Sequence, residues 1–266
     1  MKTERVAIKN RRGMKLVIQI DTPDNPTKLV FIEPGQGGFI EQKHITAFAQ
    51  AFLENDFRVV RFDPTHSIGD SEGDIFDVTY TSYIEDLEDV IKWARSQPWF
   101  QQPYALCGHS MGGVSTAWYA EKHPDEILCL APISTAVNYE LYLPTMDDDF
   151  LKNWRERGYY EIPSNSKQGV VKRIGIQILE DMKKYDLLTS ADKLAMPVLL
   201  MAGENDRPTP YEHQQILFDK IPHQNKKIVK IVGAEHSFRN NQTNEYGKEL
   251  QEAKSILNGW LKETIT

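Results

Sequence analysis

Leu106-Cys107-Gly108-His109-Ser110-Met111-Gly112-Gly113 is a Gly-x-Ser-x-Gly sequence set between a short apolar run, Pro103 to Cys107, and a helix-compatible run, Val114 to His123. A strand that turns at once into a helix brings backbone against backbone. Glycines two before and two after the serine remove the Cβ atoms that would collide there. The serine hydroxyl is then held at the tip of the turn. A helix starting directly behind it supplies unsatisfied N–H groups and a positive dipole end, which suits an oxygen that must carry negative charge. The pentapeptide alone also arises by chance in loops, and it is the flanking strand and helix that favour a nucleophile on an elbow.

On either side of the elbow the chain alternates strand and helix patterns. Glu4 to Lys9 and Met14 to Ile20 alternate polar and apolar residues around Asn10-Arg11-Arg12-Gly13, the pattern of an edge hairpin. Lys28 to Glu33 is an apolar run too short for a helix and ends in Pro34-Gly35-Gln36-Gly37-Gly38. Ile45, Phe48, Ala49, Phe52 and Leu53 then recur at helical spacing before a second buried run, Phe57 to Phe62, so a βαβ crossover is expected. A polar loop, Asp63 to Gly73, precedes a long amphipathic helix marked by Tyr83, Leu87, Val90 and Ala94. Glu126 to Ala131, Pro197 to Ala202 and Lys227 to Val232 read as further buried strands, and Leu250, Ala253, Leu257 and Trp260 share one face of a final helix. The expectation is an α/β fold, a mostly parallel twisted sheet of about eight strands with helices on both faces.

Asn138 to Ala195 breaks this alternation. It carries helical patches at Phe150 to Arg157 and Val170 to Lys184, separated by a segment containing Tyr159-Tyr160. A helical lid over the strand C-terminal ends is expected, dividing the chain into core 1–137, lid 138–195 and core 196–266. The alternative is extra structure packed on the sheet edge.

The composition is that of an ordinary soluble chain: 266 residues, 40% hydrophobic, 26% charged, net charge −7. Without basic runs or a basic amphipathic helix, neither nucleic acid nor an anionic membrane is an expected partner. The first residues alternate instead of forming an apolar signal core, and no apolar stretch is long enough to span a bilayer, so a cytoplasmic location is expected. Cys107 and Cys129 lie in strand-like runs and read as small buried hydrophobes, not as a disulfide or metal site.

A serine hydroxyl needs a base and an orienting carboxylate. Asp206 follows the strand Pro197 to Ala202 at the sheet edge, with Glu204 as the alternative carboxylate in the same turn. His236 follows the last strand by a short loop and is the expected base. Glu235 adjoins His236 but is poorly set to face the same ring nitrogen. The order Ser110, Asp206, His236 is the one expected for α/β-hydrolases. His109 is expected to point away from the serine, and His44, His123, His213 and His223, on helices or their ends, to be solvated; His66 is either a pocket residue or a plain loop histidine. The oxyanion of a tetrahedral intermediate needs two N–H donors, for which Met111 and Gln36 are placed. The glycine turn lacks the Gly-Lys-Ser/Thr ending and a full G-x-G-x-x-G, which disfavours phosphate binding. No metal or other cofactor is expected, since Asp147-Asp148-Asp149 is explained by helix capping.

With Gly108-His109-Ser110-Met111-Gly112, Gly203 to Asp206 and Gly233 to Ser237, the chain resembles the serine-hydrolase branch of the α/β-hydrolase superfamily over nearly its whole length. With Phe62-Asp63, Gly69 to Gly73 and a lid holding Trp154 to Tyr160, it is most similar to cinnamoyl or feruloyl esterases and related small carboxylesterases. The resemblance implies hydrolysis of a carboxylic ester through an acyl-enzyme on Ser110, with His236 moving protons. It also implies that Trp154, Tyr159 and Tyr160 line the acyl pocket, although aromatics there serve equally as packing within the lid. Many relatives have His-Gly where this chain has Pro34-Gly35, and the loop Asp63 to Gly69 is one residue longer than the common pattern, so the pocket shape is expected to differ. The expected function is cleavage of a small or medium acyl ester by a monomer or homodimer. A thioesterase, acyltransferase or amidase with the same triad, and a non-catalytic binding protein, are the alternatives.

Overall fold

Branched and aromatic side chains fill the runs between the turns, and in the computed structural model, which describes residues 1–265, those runs become strands. In chain order the elements are β1 (Lys2–Lys9), β2 (Lys15–Thr22), β3 (Lys28–Glu33), α1 (Lys43–Leu53), β4 (Phe57–Asp63), α2 (Tyr80–Ala94), β5 (Tyr104–His109), α3 (Met111–Lys122) and β6 (Ile127–Ile133). After them come α4 (Tyr139–Tyr142), α5 (Asp148–Arg157), β7 (Tyr159–Pro163), β8 (Val171–Gly175) and α6 (Gln177–Met182). The chain closes with β9 (Val198–Gly203), α7 (Tyr211–Lys220), β10 (Lys226–Ile231) and α8 (Lys248–Thr264).

Eight strands form one sheet in the order β1-β2-β4-β3-β5-β6-β9-β10. β1 pairs antiparallel with β2 and β2 with β4, and every later pairing is parallel. The pleat sends alternate side chains of each central strand to opposite faces. From β3, Leu29 and Phe31 pack with α2 and α3 residues, whereas Val30 and Ile32 pack with α1 and α8. Both cysteines are free and buried in the second of these layers. The chain is thus an α/β-hydrolase fold, with helices covering both faces of a mostly parallel sheet. No helix among the described residues is long and apolar enough to cross a membrane.

Residues 138–195 differ from the expected helical lid in one respect. Val170 to Lys184 is not one helix: Val171–Gly175 is a strand paired antiparallel with β7, and only Gln177–Met182 is helical. Cross-strand contact favours the strand, since the Arg173 guanidinium lies over the Tyr159 ring at 3.7 Å. Asp147 caps α5 through Phe150 N–H at 3.0 Å, and Gly158 ends it at φ 76°. Leu151, Trp154, Ile174, Ile178 and Met182 join the same apolar layer as α2 and α3. The β7–β8 loop is tied back to the sheet edge: Gln42 donates to Ser166 Oγ at 3.0 Å and Arg239 to the Asn165 carbonyl at 2.6 Å.

Candidate active site

At the end of β5 the chain turns through Ser110, whose φ of 56° and ψ of −116° lie outside the regions favoured by L-residues. Such a conformation costs about 1–3 kcal/mol and persists only where its surroundings impose it. Here the Ser110 N–H donates to the Ile133 carbonyl at 2.9 Å, locking the turn to β6. The glycines are required by space: a Cβ on Gly108 would lie 2.1 Å from the Gly112 carbonyl oxygen, and one on Gly112 would lie 2.4 Å from that of Glu33.

Asp206 leaves the turn after β9, two strands along the sheet from β5, and His236 follows β10. His236 Nδ1 sits 2.9 Å from Asp206 Oδ1 and 3.0 Å from Oδ2. The carboxylate is buried and also accepts the Thr209 N–H at 3.0 Å. Burial alone would raise the Asp206 pKa, but the charge and hydrogen bond of His236 hold it below its ordinary value. Burial likewise opposes a charged His236, and Asp206 overcomes it, so the imidazole pKa is raised. Glu204 is exposed and accepts the Gly233 N–H at 2.9 Å, and Glu235 accepts from Ser237 N and Oγ. The carboxylate on Nδ1 is therefore that of Asp206.

The Gly35–Gly38 loop passes beside the serine, and its shape is set by the fully buried Tyr83. The Tyr83 hydroxyl donates to the Gly35 carbonyl and accepts the Gly37 N–H, each at 3.0 Å. Gly38 N–H is taken by Gly35 O at 2.7 Å. The N–H groups of Gln36 and Met111 donate to no group among the described residues.

Ser110, Gln36, Tyr160 and His236 line one cleft of about 1060 Å³. The other three aromatic or imidazole groups expected there lie elsewhere. Trp154 is buried and packs edge-on against Tyr160 at 4.6 Å. Tyr159 faces the opposite side of β7, where Arg157 and Arg173 cover it. His66 is turned away by a contact between its Nδ1 and the Asp74 carbonyl at 3.0 Å.

Three other histidines, His44, His123 and His223, are not solvated as expected. His44 is buried on the inner face of α1, not solvated, and burial holds its pKa well below 6.5. Its ring lies 4.4 Å from that of His109, which in turn lies 4.8 Å from that of His236. Burial pushes the His109 pKa down to about 3, so this imidazole is neutral, and its Nε2–H donates to the His236 carbonyl at 2.9 Å. His109, expected to point away from the serine, lines the same cleft as Ser110 and holds the His236 backbone. His123 stacks on Tyr119 at 4.3 Å and His223 Nε2 contacts the Leu194 carbonyl at 2.8 Å, so neither is freely solvated.

Among the cleft residues not anticipated from the sequence are His44, His109, Tyr142, Lys172, Arg207 and Arg239. Lys172 was hidden by the helical reading of its segment. Arg239, three residues after His236, carried no signal beyond that proximity.

The family model described as serine aminopeptidase, S33, matches residues 24–157. A palmitoyl-protein thioesterase, ABHD10, of Bos taurus is 22% identical over 181 residues, 68% of this chain and 57% of that protein. A thermostable monoacylglycerol lipase of Bacillus sp. (strain H-257) is 27% identical over 173 residues, 59% of this chain and 63% of that protein. The chain thus spans less than two thirds of either relative. Among solved structures, ferulic acid-bound Est1E from Butyrivibrio proteoclasticus superposes with a TM-score of 0.78 at 23% identity, covering 98% of this chain and 99% of that one.

Proposed function

Since the chain belongs to the serine aminopeptidase family and has the α/β-hydrolase fold, we propose that it is a serine esterase using Ser110, His236 and Asp206. The observation that carries this reading is the Asp206–His236 contact at 2.9 Å beside a serine held at φ 56°. Asp206 accepts a hydrogen bond from Nδ1–H, which fixes the proton there and leaves Nε2 as the basic ring nitrogen. Ser110 Oγ attacks the ester carbon while Nε2 removes its proton. The developing oxyanion receives the free N–H groups of Gln36 and Met111. Collapse expels the alcohol, which takes the proton from His236. Water, deprotonated by the same nitrogen, then releases the acid from the acyl-enzyme.

The lining favours a small or medium acyl group over a long lipid chain, because Ile162 is the only branched aliphatic side chain on the cleft among the described residues. A fluorophosphonate probe should label Ser110 in the intact protein, and p-nitrophenyl butanoate should give a burst of nitrophenol of one equivalent or less. Failure of Ser110 to label defeats the proposal. The same ester set, extended to thioesters and amides, reports which leaving group is preferred.

The Gln36 donor acts only if its loop holds still. Tyr83→Phe removes the hydroxyl that ties Gly35 to Gly37, so kcat should fall about 10–100-fold with KM little changed. Steady-state kinetics at saturating ester measure this, and a change confined to KM would dissociate Tyr83 from the oxyanion loop.

A further inference from the structure

Three cations on the cleft, Lys172, Arg207 and Arg239, form no ion pair among the described residues; Arg207 is exposed, whereas the other two are withdrawn from water. Lys172 projects from β8 across the oxyanion loop, where its Cδ lies 3.1 Å from the position of a Cβ on Gly37. Its ammonium makes no ion pair and no hydrogen bond among the described residues. It shares the cleft with His236, and burial pushes its pKa down.

Arg239 is only 9% exposed. Its guanidinium donates to Asn165 O and to Asn244 Oδ1 and lies over the Tyr246 ring at 4.7 Å, all neutral groups. Its Nε is buried without a partner. The acids on the same cleft are engaged elsewhere: Asp206 by His236, Glu235 by Ser237, and Glu204 by the Gly233 N–H. A buried cation left without a counter-charge is unfavourable, and an arriving anion repays part of that penalty. The amides of Asn165, Asn240, Asn241 and Asn244 share this wall. An uncharged acyl chain would strip water from these groups and return no hydrogen bond.

We propose that the cleft reads a carboxylate on its substrate through Lys172 and Arg239, so that the preferred ester carries a free acid on its acyl or its alcohol half. Two of the five Arg239 N–H groups are already bonded, which leaves three donors to receive an arriving carboxylate. The proposal rests on Ser110 being the nucleophile.

The test compares charged and neutral ester pairs on wild-type protein and on Lys172→Met, which keeps the stem and removes the charge. Mono-p-nitrophenyl suberate against p-nitrophenyl octanoate reads the acyl half, and 4-carboxyphenyl butanoate against 4-carbamoylphenyl butanoate reads the alcohol half. Wild-type kcat/KM should favour the charged member of one pair, and Lys172→Met should remove about 10–100-fold from that member while leaving its neutral counterpart within a few-fold. Wild-type preference for the neutral member of both pairs overturns the proposal, as does an equal effect of the substitution on charged and neutral esters. Calorimetric titration of suberate into the intact protein separates the two readings. Binding weakened by Lys172→Met without turnover of any ester retains the carboxylate site and rejects the esterase, whereas turnover without suberate binding rejects the site alone.

Discussion

On the proposed triad, Ser110→Ala should lower kcat/KM for p-nitrophenyl butanoate by about 10⁵–10⁶-fold, because loss of the nucleophile would disable His236 and Asp206 along with it. The residual rate over water belongs to the oxyanion donors and to binding, which the substitution leaves in place. The fold should survive the change: alanine meets the same strain at φ 56° as serine does, and the backbone lock from Ser110 N–H to Ile133 is independent of the side chain. A thermal midpoint within a few degrees of wild type, with the burst abolished, is therefore the expected pair of results. Activity within tenfold of wild type would remove Ser110 from the reaction.

Much of this arrangement was legible because the hydrolase core obeys short-range rules. Runs such as Leu29-Val30-Phe31-Ile32 are apolar on both faces and too short for helices, so they could only be buried strands. Once those strands alternate with helices in the sequence, the loops at their C-terminal ends fall along one edge, and Ser110, Asp206 and His236 come together there through topology alone.

What was not legible depends on periods that coincide or on pairings made at a distance. Val170, Ile174, Ile178 and Met182 recur every four residues, a spacing that suits one face of a helix and also one face of a strand. The helical reading therefore concealed β8 and with it Lys172. The alternation of β7 also decides between the tyrosines, since neighbours in a strand face opposite ways: Tyr160 meets the cleft and Tyr159 cannot. His44 could have been placed from its position, one residue before Ile45 and four before Phe48 on the buried face of α1. No local pattern announces that Tyr83, on α2, holds the Gly35–Gly38 loop, because that contact joins elements distant in the chain.

Asp206→Asn keeps the shape of the triad and removes its charge, and it should lower kcat/KM by about 10⁴-fold. The amide can present an N–H to Nδ1, which fixes the imidazole in the tautomer whose Nε2 already carries a proton and cannot accept one from serine. The pH dependence carries the sign of the effect. Esterolysis requires neutral His236, so kcat/KM rises with pH through the pKa of that ring in the free protein. In the wild type, Asp206 raises this pKa above 6.5 against the opposing effect of burial, so the acid limb should have its midpoint above 6.5. Without the carboxylate charge, burial and the nearby Lys172 ammonium both act to lower the value, and the residual activity should show its midpoint shifted toward more acid pH. A pH–rate profile of both proteins on one neutral ester measures the shift. An unmoved midpoint would transfer control of the imidazole to Glu235, the other carboxylate that favours its charged form.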